Sequence, residues 1–303
     1  MRDVVIVGAG PAGLSAALLL GRCRRDVLVC DHGSPRNAAS QAMHGYLTRD
    51  GIAPRELLRI GREELRPYGI EVRDVAVRDV RRSDDRFDVT LETGERIDTR
   101  TVLLATGVRD ELPAIDGLDA CFGKSAFHCQ YCDGWEVRDR MLAVVGRRSA
   151  GAVGLALALK TWSDRVVLCT GGRLRLSRAH RDQLRAHDVA LHQRPIARVR
   201  HDDGHVQAVV LGDGSEVACD AIFFSTGQHM QSEIPRSLGC DVTSRGTIRT
   251  DLLGHTCVPG VFVVGDASRD VQFAIVAAAE GAKAGVAINK ALQARAGLVA
   301  QAG

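Results

Sequence analysis

Short apolar runs alternate with helical segments near the start of the chain, and the same order returns in its middle. Residues 4–7 are all apolar, residues 14–20 are rich in alanine and leucine, and residues 27–30 are again mostly apolar. Residues 142–146 and 166–169 repeat the two apolar runs, with another alanine- and leucine-rich segment between them. Continuous apolar runs of this length are typical of buried parallel strands. The pattern therefore predicts two strand–helix–strand units of related design.

Alternating apolar and polar residues follow each unit, at 71–98 and at 190–217. Alternation with a period of two, interrupted by turn residues, predicts small antiparallel meanders. A last apolar run at 261–264 precedes an alanine-rich segment at 271–294, which predicts a strand and a long helix. We interpret this last segment as the return of the chain into the first domain.

A glycine-rich turn joins the first predicted strand to the first predicted helix. Gly8, Gly10 and Gly13 have the spacing G-x-G-x-x-G, and the second strand ends at Asp31. Glycines at this spacing allow a tight turn, close approach of the backbone to a pyrophosphate and close helix packing, while the acidic residue can accept ribose hydroxyls. Because strand, glycines, helix, strand and acid occur in this order, the segment predicts an adenine dinucleotide site.

Two segments rich in proline, glycine and polar residues divide the chain, at 113–117 and 244–253. We expect them to be hinges between two domains. The sequence therefore predicts an α/β fold with two Rossmann-like domains. We expect residues 1–112 and 254–303 to form a split first domain, and residues 118–243 to form a second domain inserted into it.

The composition excludes several classes of protein. Hydrophobic residues make up 45% of the chain, charged residues 25%, and the net charge is only +3. This balance is that of a globular enzyme and gives no reason to expect binding to nucleic acid or to a membrane. Glycines interrupt the apolar N-terminal segment, which therefore differs from an export signal, and we expect a cytoplasmic protein.

Nine cysteines are present, an odd number that favours mostly reduced thiols in a cytoplasmic protein. Seven of them lie apart from any motif, and we expect them to be small packing residues: Cys23, Cys30, Cys121, Cys169, Cys219, Cys240 and Cys257.

The other two cysteines, Cys129 and Cys132, form a Cys-x-x-Cys motif that is followed by Asp133 and Gly134. Two sulfurs at this spacing can close a small disulfide ring, and a helix that begins near the first would make it a better nucleophile. The alternative is half of a zinc site. Structural zinc usually has four ligands, and no second Cys-x-x-Cys completes the set. We therefore favour redox chemistry and predict no metal.

These motifs resemble those of the low-molecular-weight thioredoxin reductases and their relatives in the pyridine nucleotide-disulfide oxidoreductase superfamily. The resemblance covers nearly the whole chain and rests on motifs that occur in the family's order: Gly8-x-Gly10-x-x-Gly13, Ala105-Thr106-Gly107, Cys129-x-x-Cys132-Asp133-Gly134 and Gly265-Asp266. It implies two domains of the FAD/NAD(P) type: the split first domain would bind FAD, and the inserted domain would be NAD(P)-like. Asp266 would lie near the ribitol, and the N-terminus of the last helix would be directed at the isoalloxazine. It also implies a homodimer.

The resemblance further implies roles for the residues around the dithiol. Cys132 would meet the flavin, Cys129 would exchange with substrate, and Asp133 would be the acid–base group. Asp133 could instead be a helix or turn cap. His128 could lower the pKa of a thiol or serve as the base, or it could be a structural histidine.

Sixteen residues are expected to contact FAD, on the fingerprint, on the resemblance, or on their place in the loop after the second strand and near the last helix. They are Gly8, Gly10, Pro11, Ala12, Gly13, Asp31, Arg36, Asn37, His44, Thr106, Gly107, Gly265, Asp266, Gln272, Phe273 and Ala274.

The second glycine turn departs from the reductase pattern. It reads Gly146-Arg147-Arg148-Ser149-Ala150-Gly151, so that Arg148 replaces the middle glycine. A large side chain there would stand where the backbone should approach a pyrophosphate. The basic cluster for a 2′-phosphate is also missing, although arginines at 173, 175 and 178 follow slightly later. NADPH is therefore disfavoured, but it is not excluded.

An enzyme of this kind without a nicotinamide would run the reaction from dithiol to flavin to oxygen. This scheme resembles that of the dithiol oxidases which form disulfides in natural products such as gliotoxin and holomycin. We therefore predict an FAD-dependent oxidase of a small-molecule dithiol. One alternative is a thioredoxin-disulfide reductase, acting on a thioredoxin-like protein with NADPH, ferredoxin or another donor. Another is a redox sensor without turnover.

Overall fold

The computed structural model describes residues 1–268 and 271–298. Within them the helices are α1 (Pro11–Arg22), α2 (Pro54–Leu65), α3 (Leu118–Cys121), α4 (Gln130–Asp133), α5 (Ser149–Leu159), α6 (Arg178–Ala186), α7 (Ile234–Ser237) and α8 (Ala274–Arg295). The strands are β1 (Arg2–Val7), β2 (Val27–Asp31), β3 (Glu71–Asp74), β4 (Val77–Ser83), β5 (Arg86–Leu91), β6 (Arg96–Leu104), β7 (Val108–Asp110), β8 (Ala126–Phe127), β9 (Leu142–Gly146), β10 (Val166–Cys169), β11 (Ala190–His192), β12 (Ile196–Asp202), β13 (His205–Leu211), β14 (Glu216–Ala218), β15 (Ala221–Ser225), β16 (Gln228–Met230) and β17 (Val261–Val263). Both predicted strand–helix–strand units are present, and the predicted α/β class is confirmed.

The chain forms two compact units. The first contains Met1–Ala38, Gly45–Arg109 and the described part of His229–Gly303, and the second contains Ala39–His44 and Asp110–Gln228. The short segment 39–44 therefore belongs to the second unit, although the sequence on both sides of it belongs to the first.

The first unit is built on a seven-stranded sheet in the order β3-β2-β1-β6-β5-β4, with β17 also paired to β6. Strand β1 pairs in parallel with β2 and β6, β2 pairs in parallel with β3, and β17 pairs in parallel with β6. Strands β4, β5 and the first half of β6 form an antiparallel meander. The apolar run of β1 is almost wholly buried because both faces of the sheet are covered. The meander predicted from residue 71 starts later than expected, since β3 pairs in parallel with β2.

Helices α1 and α8 cover one face of this sheet, with the core residues Leu14, Leu20, Ala284 and Ile288 buried between them and the strands. A side chain at Gly281 would overlap the carbonyl group of Ala12 in α1. The absence of that side chain lets the two helix backbones come into contact. Within the described residues, no helix has both the length and the apolar character that a membrane span requires.

The second unit contains a parallel five-stranded sheet in the order β11-β10-β9-β15-β8, and an antiparallel three-stranded sheet, β12-β13-β14. Helices α5 and α6 contribute to the core on one face of the parallel sheet, and the three-stranded sheet contributes to the core on the other. The carboxyl ends of β9 and β10 lead into the turns that a nucleotide-binding fold uses for its ligand.

The chain passes from the first unit to the second between Arg109 and Asp110, and returns to the first between Gln228 and His229. Both crossings come earlier in the chain than the expected hinges at 113–117 and 244–253. Strands β7 and β16 pair there as a two-stranded ribbon. Residues 234–248 remain with the first unit because three of their side chains are buried in its core: Ile234, Cys240 and Ile248.

Five of the seven cysteines expected to be packing residues are buried, but Cys23 and Cys257 are exposed, so the expectation was wrong for these two. Cys23 caps the C-terminus of α1. Cys257 lies in the turn before β17, where its thiol donates to the carbonyl oxygen of Gly239 at 3.4 Å. Both positions are on the surface because a helix end and a turn leave them outside the layers of the fold.

Candidate active site

The dithiol lies at the start of the one-turn helix α4 in the second unit. Cys129 and Cys132 form a disulfide, with 5.3 Å between their Cα atoms. Cys129 is the N-cap residue of α4, and its Sγ accepts a hydrogen bond from the backbone N–H of Cys132 at 3.2 Å. A donor at this place favours negative charge on Cys129 once the disulfide is open. The predicted helix that starts near the first sulfur is therefore present.

Gly134 ends this helix and permits close packing behind it. A Cβ atom at Gly134 would lie 2.8 Å from the indole ring of Trp162 and would also overlap the carbonyl oxygen of Gln130. The glycine of the Cys-x-x-Cys-Asp-Gly motif is thus required by packing, and it keeps the dithiol turn close to the body of the second unit.

Asp133 is the last residue of α4 and is partly buried. Burial, assisted by the negative charge of Glu136, raises the pKa of Asp133 from its ordinary value of 3.8 to about 7, while His44 acts in the opposite direction. In the described part of the chain no side chain donates a hydrogen bond to this carboxyl group. A carboxyl with a pKa near neutrality can both accept and return a proton, so its environment suits an acid–base group better than a helix cap.

His44 lies in the second unit, where its Nε2 is 3.4 Å from Oε1 of Glu136. Its expected contact with the flavin stays a prediction. The segment that carries it lies against Gly123, where a Cβ atom would be 2.5 Å from the carbonyl carbon of Ala39. The backbone at Ala39 therefore packs directly on that of Gly123.

His128 precedes the dithiol and is directed at a buried carboxylate. Its Nε2 lies 3.8 Å from Oδ2 of Asp110, whose side chain is only 5% exposed. Oδ1 of Asp110 accepts a hydrogen bond from Gln228 at 3.0 Å, and the imidazole packs against the rings of Phe122 and Phe224. The imidazole is therefore held by packing and by an acidic partner, which is compatible with both the structural and the catalytic interpretation.

Sequence reasoning missed an aromatic surface next to the dithiol. Tyr131 and Trp135 are 68% and 64% exposed, Tyr131 contacts Trp162 edge-on, and the guanidinium of Arg138 lies 4.1 Å from the ring centre of Trp135. The chain has only two tryptophans, and both lie within or against this segment. The position of both tryptophans could have indicated this surface from the sequence, since exposed aromatic residues commonly mark a binding surface.

An ion pair joins the second glycine turn to Glu111, which follows β7. Arg147 forms a salt bridge with Glu111, and Thr226 donates a hydrogen bond to the carbonyl oxygen of Glu111. Arg148 is the N-cap residue of α5 and is exposed, so a side chain stands where a dinucleotide fingerprint has its middle glycine. The turn therefore lacks the bare backbone that a dinucleotide pyrophosphate needs, and its residues fit NADPH poorly.

The first glycine turn, in contrast, has the geometry of a pyrophosphate site. A side chain at Gly8, whose φ is +105°, would overlap the carbonyl oxygen of Ala105, and one at Gly13 would overlap Gly8 itself. A Cβ at Gly10 would meet nothing within 4 Å, so the backbone there is open to a ligand. Pro11 is the first residue of α1, which has neither a side-chain cap nor an acidic residue in its first turn. The N–H groups at this helix end are oriented to bind an anion.

Asp31 ends β2 next to this turn. Its Oδ1 accepts a hydrogen bond from the backbone N–H of Ala9 at 3.2 Å, and its Oδ2 is 2.7 Å from Arg62. The carboxylate retains further acceptor capacity, because each oxygen can accept two hydrogen bonds. Its position at the carboxyl end of β2 is that of the ribose-binding acid of a dinucleotide fingerprint.

Arg36 connects two of the other expected flavin residues. Its Nη1 lies 2.8 Å from Oδ2 of Asp266 and 2.7 Å from Oε1 of Gln272. The side chains of Arg36 and Asp266 are only 14% and 18% exposed. Asn37 lies in the same turn as Arg36, and Gly265 precedes Asp266 with φ +73°. The loop after β2 is thereby joined to the Gly-Asp motif within the first unit.

Four more expected residues lie at element ends in this unit. Phe273 is the N-cap residue of α8 and Ala274 its first residue, and α8 has no side-chain cap and no acidic residue in its first turn. Thr106 and Gly107 follow β6, and Gly107 has φ +65°. Together with the open turn at Gly10, these elements fit an elongated dinucleotide with a pyrophosphate at α1.

The two units together define a class of protein, an oxidoreductase with a dinucleotide-binding fold and a redox-active disulfide. A family model described as pyridine nucleotide-disulphide oxidoreductase matches residues 2–281. The chain belongs to this family. Membership implies FAD as cofactor, which agrees with the residues around Gly10, and the protein is a flavin-dependent dithiol–disulfide oxidoreductase.

Relatives with curated names and solved structures support this assignment. The chain is 32% identical to thioredoxin reductase tcpT of Claviceps purpurea, over 87% of this chain and 86% of that protein. The crystal structure of HlmI has a TM-score of 0.93 and 42% identity, covering 96% of this chain and 92% of that one. An oxidoreductase of Agrobacterium tumefaciens has a TM-score of 0.90 and 34% identity, covering 96% and 98%.

Proposed function

We propose that this protein is an FAD-dependent dithiol oxidase, which converts a small-molecule dithiol to its disulfide with oxygen as the electron acceptor. The observation that carries the proposal is the second glycine turn. Arg148 occupies the position of a fingerprint glycine, and Arg147 is paired with Glu111. Without a nicotinamide as electron donor, a thiol substrate is the simplest source of the electrons.

The exchange half of the reaction can be assigned to the residues of α4. A substrate thiolate attacks Sγ of Cys129, the bond between Cys129 and Cys132 breaks, and Cys132 leaves as a thiolate. The second substrate thiol gives its proton to the Asp133 carboxylate and attacks, as a thiolate, the substrate sulfur of this mixed disulfide. This attack releases the substrate disulfide and the Cys129 thiolate. The N–H of Cys132 that donates to Cys129 stabilises the charge that this step leaves on its sulfur.

Asp133 would handle the protons of the exchange. In its ionised form it accepts the proton of a substrate thiol, and in its protonated form it donates to the departing Cys132. Its pKa of about 7 leaves both forms populated near neutral pH, which is the condition for efficient proton transfer in either direction.

Bound FAD would supply the two-electron acceptor that returns the dithiol to the disulfide, and oxygen would take these electrons to give hydrogen peroxide. The chain's own contribution is to hold the cofactor. The open backbone at Gly10 and the start of α1 would bind the pyrophosphate, Asp31 the adenosine ribose, and Asp266, held by Arg36, the ribitol.

The exposed rings of Tyr131 and Trp135 support a small apolar substrate. Tyr131 precedes Cys132, Trp135 follows it by three residues, and both rings are exposed, so that a ring-containing dithiol can stack on them. A thioredoxin-like protein could use the same surface, and relatives named thioredoxin reductase keep that alternative open.

An anaerobic titration of the flavin separates these functions. The visible absorbance of the oxidised holoenzyme is followed while NADPH, and then dithiothreitol, is added. We expect no bleaching with NADPH, bleaching with the dithiol, and recovery when air is admitted. Bleaching by NADPH within seconds would overturn the oxidase proposal and favour a reductase, whereas a single turnover in air would favour a sensor.

Cys129→Ser tests the role of the exchange sulfur in the same titration. We expect this variant to retain its flavin but to lose bleaching by dithiothreitol, because the disulfide that the substrate attacks is no longer present. Cys23→Ser is the matched control, since Cys23 is exposed and lies in the first unit. Undiminished turnover in Cys129→Ser would refute the assignment.

The homodimer and the cytoplasmic location also stay predictions. The mass of the protein in solution would check the first, and cell fractionation the second.

A further inference from the structure

Residues 39–44 form a short segment that leaves the first unit in sequence and packs on the second. Its contact point is Gly123, which has φ +77° and no side chain, so that the backbone of Ala39 can approach it directly. The segment ends at His44, and the next residue already belongs to the first unit. The segment therefore brings His44 into the second unit, next to Glu136.

His44 meets Glu136, which lies three residues after Asp133. The Nε2 of His44 is 3.4 Å from Oε1 of Glu136, and the two side chains are 24% and 36% exposed. In the described part of the chain, these are the two ionisable side chains that act on Asp133, besides its burial. Two charged residues close to Asp133 along the chain have partners of their own: His128 is directed at Asp110, and Arg138 stacks on Trp135.

We propose that His44 and Glu136 form an imidazole–carboxylate pair that controls proton transfer at Asp133, and that both are positioning residues for the dithiol chemistry. The inference rests on the proposed function, because it assigns Asp133 as the group that accepts and returns the thiol proton. It assigns a role to residues 39–44, a segment that no motif marks. It also assigns a function to Glu136, which lies outside the Cys-x-x-Cys-Asp-Gly motif.

The proton balance shows what the pair does. In the exchange, a substrate S–H gives its proton to the Asp133 carboxylate, which becomes a neutral carboxylic acid. The same proton then passes to the Cys132 thiolate, which leaves Asp133 ionised again. The negative charge of Glu136 favours the protonated form of Asp133, whereas a protonated His44 favours the ionised form. Glu136 and His44 therefore act on the Asp133 carboxyl in opposite directions.

A purely structural pair would behave differently. An exposed or half-exposed ion pair contributes about 0–1 kcal/mol to stability, and its removal would alter unfolding without moving the titration of a neighbour. A controlling pair must instead shift the protonation midpoint of Asp133, and its two members must shift it in opposite directions. The directions in which the two substitutions shift the midpoint therefore distinguish a controlling pair from a structural one, even if both substitutions slightly lower the stability.

The experiment measures the protonation of Asp133 in the oxidised holoenzyme as a function of pH, by the infrared C=O stretch that disappears in Asp133→Asn. We expect Glu136→Gln to lower the midpoint by about half a pH unit or more, because a like charge is removed. We expect His44→Asn to raise it. Glu216→Gln is the control: Glu216 pairs with Arg200 on the three-stranded sheet of the same unit and should leave the midpoint unchanged.

The pH dependence of disulfide exchange with dithiothreitol provides the second measurement. Its acid limb should move with the infrared midpoint in each variant, while flavin content and circular dichroism remain those of the wild type. An unchanged midpoint in Glu136→Gln, or shifts of the same sign in both variants, would overturn the inference and leave the oxidase proposal intact. Exchange at the wild-type rate in Asp133→Asn would instead refute the proton-transfer role in the proposed function.

Discussion

Replacement of Asp133 by asparagine should stabilise the second unit, and the gain should appear only as the pH rises. The carboxyl group has a pKa of about 7 in the folded protein, against its ordinary value of 3.8. Below about pH 4 both the folded and the unfolded chain hold the proton, so the ionisation makes no difference to stability. Between pH 4 and 7 the unfolded chain releases the proton while the folded chain keeps it, and the folded state loses stability. Above pH 7 the full cost is present.

The magnitude follows from the size of the shift. A difference of about three pKa units corresponds to about 4 kcal/mol at 1.36 kcal/mol per unit, which is an upper limit. Asp133 is only partly buried, so solvent screening reduces the effect, and we expect a gain of about 1–3 kcal/mol at pH 8. Asparagine has nearly the same shape but no charge to desolvate, so the gain measures the cost of burying the carboxylate.

Urea unfolding of the oxidised holoenzyme at pH 4 and pH 8, followed by tryptophan fluorescence, is the assay. Both tryptophans, Trp135 and Trp162, lie in the second unit and therefore report its unfolding. Asp164→Asn is the control, because its side chain is 98% exposed and its substitution should give the same small change at both pH values. A difference between Asp133→Asn and wild type that does not grow between pH 4 and 8 would refute the reasoning.

Three further predictions concern packing and the cofactor. Gly281→Ala should destabilise the first unit by about 1–3 kcal/mol and release flavin at lower temperature, since the new methyl overlaps the backbone of α1. Gly154→Ala, at a helical position with nothing within 4 Å, should instead stabilise the second unit by about 0.5–1 kcal/mol, as tryptophan fluorescence would report. Arg36→Ala should weaken FAD binding about tenfold or more, because Asp266 loses a charged partner. Flavin fluorescence on dilution measures that loss, Arg59→Ala on the exposed face of α2 should be neutral, and equal affinities in the two variants would contradict the role of Arg36.

The glycine turns show why part of the site could be predicted from the sequence. At Gly8 and Gly13 the requirement for glycine arises from contacts within a few residues of the turn or from the neighbouring strand end. Such local constraints give a fixed spacing, which can be recognised in the sequence. The replacement of the middle glycine by Arg148 could be recognised in the sequence for the same reason. The structure adds only the salt bridge between Arg147 and Glu111.

The dithiol was predictable for a similar reason. Cys129 and Cys132 are joined within one helical turn, so their spacing alone brings the sulfurs together. Strands β1, β2, β9 and β10 were also predicted, because continuous apolar runs such as that of β1 must be buried on both faces. The hinges were placed too late in the chain, since burial of Ile248 in the first core leaves no local mark in the sequence.

The sequence by itself determined the α/β class, the flavin fingerprint, the redox disulfide and the loss of a normal second dinucleotide turn. Each depends on residues that are close along the chain or on a periodicity that burial imposes. Only the tertiary structure decided that His44 meets Glu136, because the two residues are far apart in sequence. It also decided the pKa of Asp133, since burial and the charges of neighbours are properties of the folded chain and not of the motif.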